Sequence, residues 1–170
     1  FDTSSDPEAN ANLFLGIRAG NNFEIGSQGN NTALGRNAML NSLQIGSVAA
    51  GEFGRCQDNT AVGAGAGKKF CNQIDTSCNM NTAIGIESLV NLNVGNANVG
   101  IGKSSGQHLG GEFTSNNSTY LGAETHISNP GVTNETVIGF QATGKGSNTV
   151  QIGNCDVSDV FLGCDGSGTT

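Results

Sequence analysis

The chain has 170 residues, a length that fits one domain. Hydrophobic residues make up 35%, aromatic residues 5%, tryptophan is absent and glycine takes 27 positions, which excludes a thick globular core and favours a thin one. The net charge of −7 and seven dispersed basic residues exclude a phosphate-binding surface, so we expect no nucleic-acid partner. No apolar run approaches the ~20 residues of a membrane span, so we expect no membrane insertion.

A short phrase recurs along the chain: Asn, two variable residues, an aliphatic residue and Gly. Full copies begin at five positions, Asn12, Asn31, Asn59, Asn81 and Asn98, and degenerate copies end at Gly122, Gly139, Gly153 and Gly163. In seven copies a small residue stands three positions after the Gly: Ala19, Ala38, Ala66, Ser88, Ser105, Thr125 and Ala142. Repetition on this scale predicts a stack of similar units.

Each copy predicts a short β-strand followed by a tight corner. In Thr82-Ala83-Ile84, the alternation of a strand places Thr82 and Ile84 on one face and Ala83 on the other. The following Gly permits the positive φ of a sharp corner, and Asn residues at equal positions predict side-chain ladders between rungs. No segment has a sustained helical stripe. The sequence therefore predicts an all-β stack of about eight rungs, roughly 40 Å long.

The phrases NTALG, NTAVG, NTAIG and GKGSNTVQIGN resemble the head repeats of trimeric autotransporter adhesins. They are more similar to the Asn/Gly-rich shaft repeats of phage and viral tail fibres and of related bacterial surface fibres, which often precede an intramolecular chaperone domain. The resemblance covers about residues 12–163. It implies a left-handed β-roll or β-solenoid, intertwined as a homotrimer with its aliphatic residues facing a threefold axis. It also implies an extracellular localisation, on a cell surface or a virion.

A structural and adhesive fibre segment is the leading functional hypothesis. We expect one repeat domain over residues 1–170, with repeats at about 12–163 and loop insertions at about 41–58, 67–80 and 106–116. Loops carry recognition more readily than scaffold strands, so these insertions are the expected contact sites for a cell-surface receptor, either a glycan or a protein. The expected receptor-binding residues are Phe53, Arg55, Lys68, Lys69, Phe70, His108 and Phe113.

The five cysteines leave two interpretations open. Cys155 and Cys164 each follow an aliphatic-Gly pair, so neighbouring rungs would bring them together as a disulfide. The other three, Cys56, Cys71 and Cys78, lie in the longest inter-repeat segments, where disulfides would suit an extracellular protein. Five small buried thiols are the alternative, and the odd count leaves one thiol free or bonded between chains.

Two further functions remain as alternatives. A fibre-borne polysaccharide-degrading enzyme needs a pair of carboxylates, and Glu112 and Glu124 are the candidates, although nothing marks them as paired. A monomeric ice- or carbohydrate-binding solenoid needs a flat array such as Thr-x-Thr, which the sequence lacks. We expect no metal, because His108 and His126 stand at different repeat offsets. We expect no cofactor either, since the Gly-rich segment before Lys68 fails the phosphate-loop pattern.

Overall fold

The computed structural model is an all-β parallel solenoid over the residues that it describes, which are 12–21, 29–41, 56–71 and 77–162. No helix occurs within these ranges. The strands are β1 (Leu13–Leu15), β2 (Thr32–Leu34), β3 (Thr60–Val62), β4 (Thr82–Ile84), β5 (Leu92–Val94), β6 (Val99–Ile101), β7 (Phe113–Asn116), β8 (Thr119–Leu121), β9 (Val132–Thr133), β10 (Thr136–Ile138) and β11 (Val150–Ile152).

Eight of these strands form one parallel sheet, the main sheet, in the order β1-β2-β3-β4-β6-β8-β10-β11. Each strand is the segment that precedes the Gly of one repeat, so the sequence prediction of strand followed by corner is confirmed for eight copies. Equivalent repeat positions pair directly in the middle of the sheet: Thr60 with Thr82, Ala61 with Ala83 and Val62 with Ile84. At ~4.8 Å per strand the main sheet is about 34 Å long. Gly163, which ends the ninth copy, lies outside the described residues.

A second sheet completes the solenoid in its C-terminal half. This side sheet has three parallel strands in the order β5-β7-β9, and isolated bridges join Gln107 to His126 and His126 to Thr143 between the two sheets. Residues 106–116, expected as a loop insertion, contain Gln107 and all of β7. The physical reason is burial: Phe113 and Ser115 alternate inward, so this segment is a wall of the stack.

The core is a thin column of small side chains with a few large ones beside it. The centres of successive main-sheet strands point inward and are buried: Ala33, Ala61, Ala83, Gly100, Tyr120 and Val137. Small residues three positions after the repeat Gly are also buried in six of the seven copies. Larger residues fill the remaining space: Met39, Phe70, Leu89, Leu92 and Phe113. Phe70 and Phe113, expected at a receptor surface, are therefore core residues.

The corner after each main-sheet strand requires glycine for a steric reason. Gly85 has a φ of +126°, and a Cβ placed on it would lie 2.5 Å from the carbonyl oxygen of Gly102 in the next rung. The corners of adjacent rungs therefore touch through their backbones. Two residues later the chain takes a left-handed conformation, as at Glu87 with a φ of 56°.

A ladder of asparagine side chains runs through the stack and confirms the ladder predicted from the repeat. Each side-chain amide donates to the side-chain oxygen of the previous asparagine at 3.0 Å: Asn31 to Asn12, Asn59 to Asn31, Asn81 to Asn59 and Asn98 to Asn81. The same amide also donates to a backbone carbonyl oxygen of the next turn, at 2.6 to 2.8 Å. These bonds satisfy polar groups that would otherwise be buried without partners.

At its C-terminal end the ladder continues with residues other than asparagine. Ser118 and Glu135 occupy the next two asparagine positions, and the backbone N–H of Glu135 donates to Ser118 Oγ at 3.1 Å. The buried Glu135 carboxyl accepts from the backbone N–H of Gly146 at 2.9 Å and from Tyr120 Oη at 3.3 Å. Burial, together with the nearby Glu135, raises the pKa of Tyr120. Tyr120 thus replaces the alanine or glycine at the strand centre of earlier rungs, and Glu135 replaces a ladder asparagine.

Candidate interaction face

The outer face of the main sheet carries a continuous column of aliphatic side chains, the aliphatic ladder. It consists of the residue before each corner Gly: Leu15, Leu34, Val62, Ile84, Ile101, Leu121, Ile138 and Ile152. Six of these side chains are between 38% and 63% exposed, and Val62 and Ile138 are half-buried. The ladder follows from strand alternation, because the inward position of each strand is taken by its central residue.

In four adjacent strands of the main sheet the smaller apolar side chains face inward and the larger ones face outward, which is the reverse of what a stable monomer would have. In β2, β3 and β4 the inward residue is alanine, whereas the outward residue is Leu34, Val62 or Ile84. In β6 the inward residue is glycine and the outward residue is Ile101. The larger apolar group of each pair therefore faces outward. An apolar face that is continuous along a monomer is characteristic of an interaction surface.

Two further columns widen this face. On one side stand the first residues of the strands, half-buried at five threonines: Thr32, Thr60, Thr82, Thr119 and Thr136. On the other side stands the residue after each corner Gly, a mixed column in which Ile17, Ile86 and Phe140 are exposed apolar residues and Arg36 and Lys103 are exposed charged ones. Three columns spanning roughly 20 Å over the ~34 Å length give a face of about 700 Å². That approaches the ~800 Å² per partner of a stable protein interface.

Charged groups line one edge of this face in its C-terminal half. Lys103 Nζ lies 3.0 Å from Glu124 Oε1, and Gln141 Nε2 donates to Glu124 Oε2 at 3.0 Å. The hydrogen bond from Gln141 and the ammonium of Lys103 lower the pKa of the Glu124 carboxyl. The three side chains come from successive rungs, and they form a polar border beside the aliphatic ladder.

The predicted receptor-binding residues are placed in different environments. Lys68 and Lys69 are half-buried, and Lys69 Nζ lies 3.1 Å from Glu112 Oε1. Asn93 donates its side-chain amide to Glu112 Oε2 at 3.1 Å, so Lys69, Asn93 and Glu112 form a polar patch beside the side sheet. Phe53 and Arg55 lie outside the described residues.

Two buried polar atoms lie in or near this polar patch without a hydrogen-bond partner among the described residues. They are Asn93 Oδ1 and His108 Nδ1, and His108 belongs to the turn that leads to Glu112. Buried polar atoms are normally paired, so each has unused capacity for a hydrogen bond. Sequence reasoning selected Lys69 and His108 but missed Asn93, whose position on β5 follows from no repeated phrase.

The carboxylates considered for glycan hydrolysis have separate surroundings. Glu112 contacts Lys69 and Asn93, whereas Glu124 contacts Lys103 and Gln141. Glu112 directly precedes β7 of the side sheet, whereas Glu124 follows β8 of the main sheet. Within the described residues no cluster of His, Cys, Asp and Glu has the arrangement of a metal site.

The cysteines fall into two groups. Cys56, Cys71 and Cys78 are buried together in the core, at 1% exposure or less. Cys155 is exposed in the segment that follows β11. Cys164 lies outside the described residues, so the predicted pairing of Cys155 with Cys164 stays a prediction.

Comparison of the chain with protein-family models, with curated protein sequences and with solved structures finds no match. The part of the chain that the structure describes contains no helix long and apolar enough to cross a membrane. The geometry of the solenoid and the repeat phrases are therefore the basis for assigning a function.

Proposed function

We propose that this chain is a structural segment of an extracellular fibre, in which three copies pack their aliphatic ladders around a common axis. The observation that carries the proposal is the inverted main sheet, with alanine or glycine inside and leucine, valine or isoleucine outside in four successive strands. The similarity of the repeats to those of trimeric fibres supports a threefold arrangement. Packing three such faces together removes the apolar columns from water.

Burial of apolar area favours association over an isolated monomer. The aliphatic ladder lies in the middle of this face, and each Å² of apolar area that packing removes from water contributes roughly 25 cal/mol. Part of that contribution is spent on lost translational and rotational freedom. Because the ladder extends over eight rungs, many weak contacts add along one axis.

The proposed adhesive role belongs to the surfaces that such packing leaves exposed. The polar patch of Lys69, Asn93 and Glu112, together with Lys68 and His108, lies on walls other than the main sheet. The side chains of Lys69 and Glu112 remain 29% and 35% exposed, so they can form hydrogen bonds with a polar ligand such as a glycan. Three identical patches around an axis would raise avidity without tight binding at any one of them.

Substitutions on the main sheet test the assembly. The double variant Ile84→Lys/Ile101→Lys places two charges on the aliphatic ladder, and the matched control Thr143→Lys places a charge on an exposed position of another wall. Sedimentation velocity is expected to show smaller particles for the double variant and unchanged particles for the control. Equal sedimentation of the double variant and the unmodified chain would contradict the proposal.

A second candidate function is a monomeric solenoid that binds ice or an ordered carbohydrate surface. The column of five threonines favours it, since together with the parallel aliphatic ladder it forms a regular array on one face. This candidate predicts a monomer that inhibits ice recrystallisation or binds crystalline polysaccharide. The fibre proposal predicts neither activity, because the same face is covered by other copies.

A further inference from the structure

Three buried thiols meet in the core at a point that the proposed fibre function does not use. Cys56, Cys71 and Cys78 are 0%, 1% and 0% exposed and belong to the same hydrophobic cluster. Cys56 and Cys78 occupy equivalent positions in adjacent rungs, each three residues before a ladder asparagine. The Cys71 thiol contacts both of them.

The contacts of Cys71 with its two neighbours differ at the backbone. The Cys71 thiol donates to the backbone carbonyl oxygen of Cys78 at 3.7 Å, and the two thiols are also in hydrogen-bonding contact. The Cys78 thiol donates to the carbonyl oxygen of Asn93 at 3.6 Å. The Cys71 thiol is also in hydrogen-bonding contact with the Cys56 thiol, whose sulfur accepts from the side-chain amide of Asn59 at 3.5 Å. Cys71 therefore contacts both neighbouring thiols, and it contacts Cys78 through the backbone as well.

We propose that Cys71 and Cys78 form an intramolecular disulfide when the chain folds in an oxidising environment, leaving Cys56 as a buried thiol. The bond would close the short segment between the two residues and fix one turn of the solenoid. Disulfides of this kind are typical of extracellular proteins. An odd cysteine count is then accommodated, because the core retains one thiol.

The reaction is a thiol–disulfide exchange with a small-molecule disulfide. The Cys71 sulfur attacks one sulfur of oxidised glutathione, forming a mixed disulfide and releasing one glutathione. The Cys78 sulfur then displaces the second glutathione and forms the Cys71–Cys78 bond. Two protein thiols lose their hydrogens and are oxidised, and one glutathione disulfide is reduced to two thiols that receive the two protons.

The exchange must precede closure of the core. Burial raises the pKa of the Cys71 and Cys78 thiols, and the reactive form of a thiol is the thiolate. A chain that has folded with reduced thiols is therefore expected to resist oxidation at these two positions. A chain that folds in the presence of the oxidant has exposed thiols at the time of exchange.

The test uses the full chain with Cys155→Ser and Cys164→Ser, which leaves the three core cysteines. The chain is refolded in a buffer of reduced and oxidised glutathione, then unfolded, alkylated and mapped by mass spectrometry with cleavage before Asp75. The expected result is one alkylated cysteine, Cys56, and a Cys71–Cys78 link that accounts for the loss of two hydrogen atoms. Three alkylated cysteines, or a link that contains Cys56, would overturn the proposal.

A second variant controls for the neighbouring thiol. Adding Cys56→Ala to the same background removes the alternative partner of Cys71 and keeps both members of the proposed pair. The Cys71–Cys78 link is expected to form to the same extent. Its loss in this variant, with the far-ultraviolet circular dichroism spectrum unchanged, would contradict the assignment.

Discussion

Asn81 donates its side-chain amide to the side-chain oxygen of Asn59 at 3.0 Å, and that oxygen also accepts the backbone N–H of Asn81. The side-chain oxygen of Asn81 serves Asn98 in the same two ways, again at 3.0 Å. One side chain thus joins three successive rungs. Both asparagines are fully buried, so each link is made away from water.

Removing the middle of this ladder is expected to destabilise the chain strongly. Asn81→Ala leaves the backbone N–H of Asn98 and the carbonyl oxygen of Gly95 without their partners, at a cost of about 2–4 kcal/mol. Asn81→Asp is expected to cost more, because a carboxylate cannot donate to Asn59 or Gly95. Urea unfolding measures both values. The exposed Asn129→Ala is the control, with a change of less than about 0.5 kcal/mol expected.

The backbone contact between corners predicts a contrast between two glycines. Gly85→Ala and Gly111→Ala both place a side chain at positive φ, which alone costs about 1–3 kcal/mol. Only the Gly85 change adds a clash with the Gly102 carbonyl, since nothing lies within 4 Å of a Cβ at Gly111. Thermal unfolding is expected to show a clearly larger loss for Gly85→Ala. Equal losses would mean that the corners do not touch as described.

The left-handed residue at each corner predicts a stabilising substitution. Glu87 has a φ of 56° and is exposed, and glycine stands at the equivalent position, Gly65, in the adjacent rung. Glu87→Gly is expected to stabilise the fold by about 0.5–1 kcal/mol, because relief of backbone strain exceeds the entropic cost of glycine. Thr143→Gly, at an exposed position without positive φ, is the matched control and is expected to destabilise. A loss of stability in Glu87→Gly would contradict the strain argument.

The buried thiols predict how stability depends on pH under reducing conditions. The folded-state pKa of Cys71 and of Cys78 is raised above the ordinary value of 9.0, chiefly by burial. The contribution of these two thiols to the free energy of unfolding is therefore fully present below pH 9. It is lost as the pH rises above 9, by about 1.4 kcal/mol per thiol per pH unit. Urea unfolding at pH 7 and pH 10 measures the decrease.

The matched comparison is Cys71→Ala/Cys78→Ala, which keeps Tyr120. The pKa of Tyr120 is also raised, so its own contribution falls at high pH in both proteins and cancels in the comparison. The double variant is expected to be less stable at pH 7 but to lose less stability between pH 7 and pH 10. An identical decrease in both proteins would show that the thiols do not titrate on unfolding.

Much of the fold could be predicted because the copies of the repeat contain the same pattern of strand, corner and ladder residues. Thr82, Ala83 and Ile84 already specify a strand, its inward residue and its outward residue, and the recurring Asn specifies the ladder. The repeat pattern did not predict the burial of Glu135, because that burial depends on contacts with Tyr120 and Gly146 in neighbouring rungs. The sequence indicates it only in that Glu135 stands at an asparagine position of the repeat.

The candidate site was harder to predict than the scaffold. Phe70 and Phe113 were selected as aromatic residues in expected loops, but the segments that hold them are walls with their own inward alternation. Asn93 was missed because β5 belongs to no copy of the phrase. Residues outside the repeat take their positions from contacts between rungs, which a single sequence does not display.

The measurement that tests the central proposal most directly is the molar mass of the chain in solution, by light scattering after size-exclusion chromatography. One chain has a mass of 17.2 kDa. If three aliphatic ladders pack around one axis, the measured mass is three times that of one chain and independent of concentration over the micromolar range. A stable particle of 17.2 kDa would contradict the account and favour the monomeric binding solenoid.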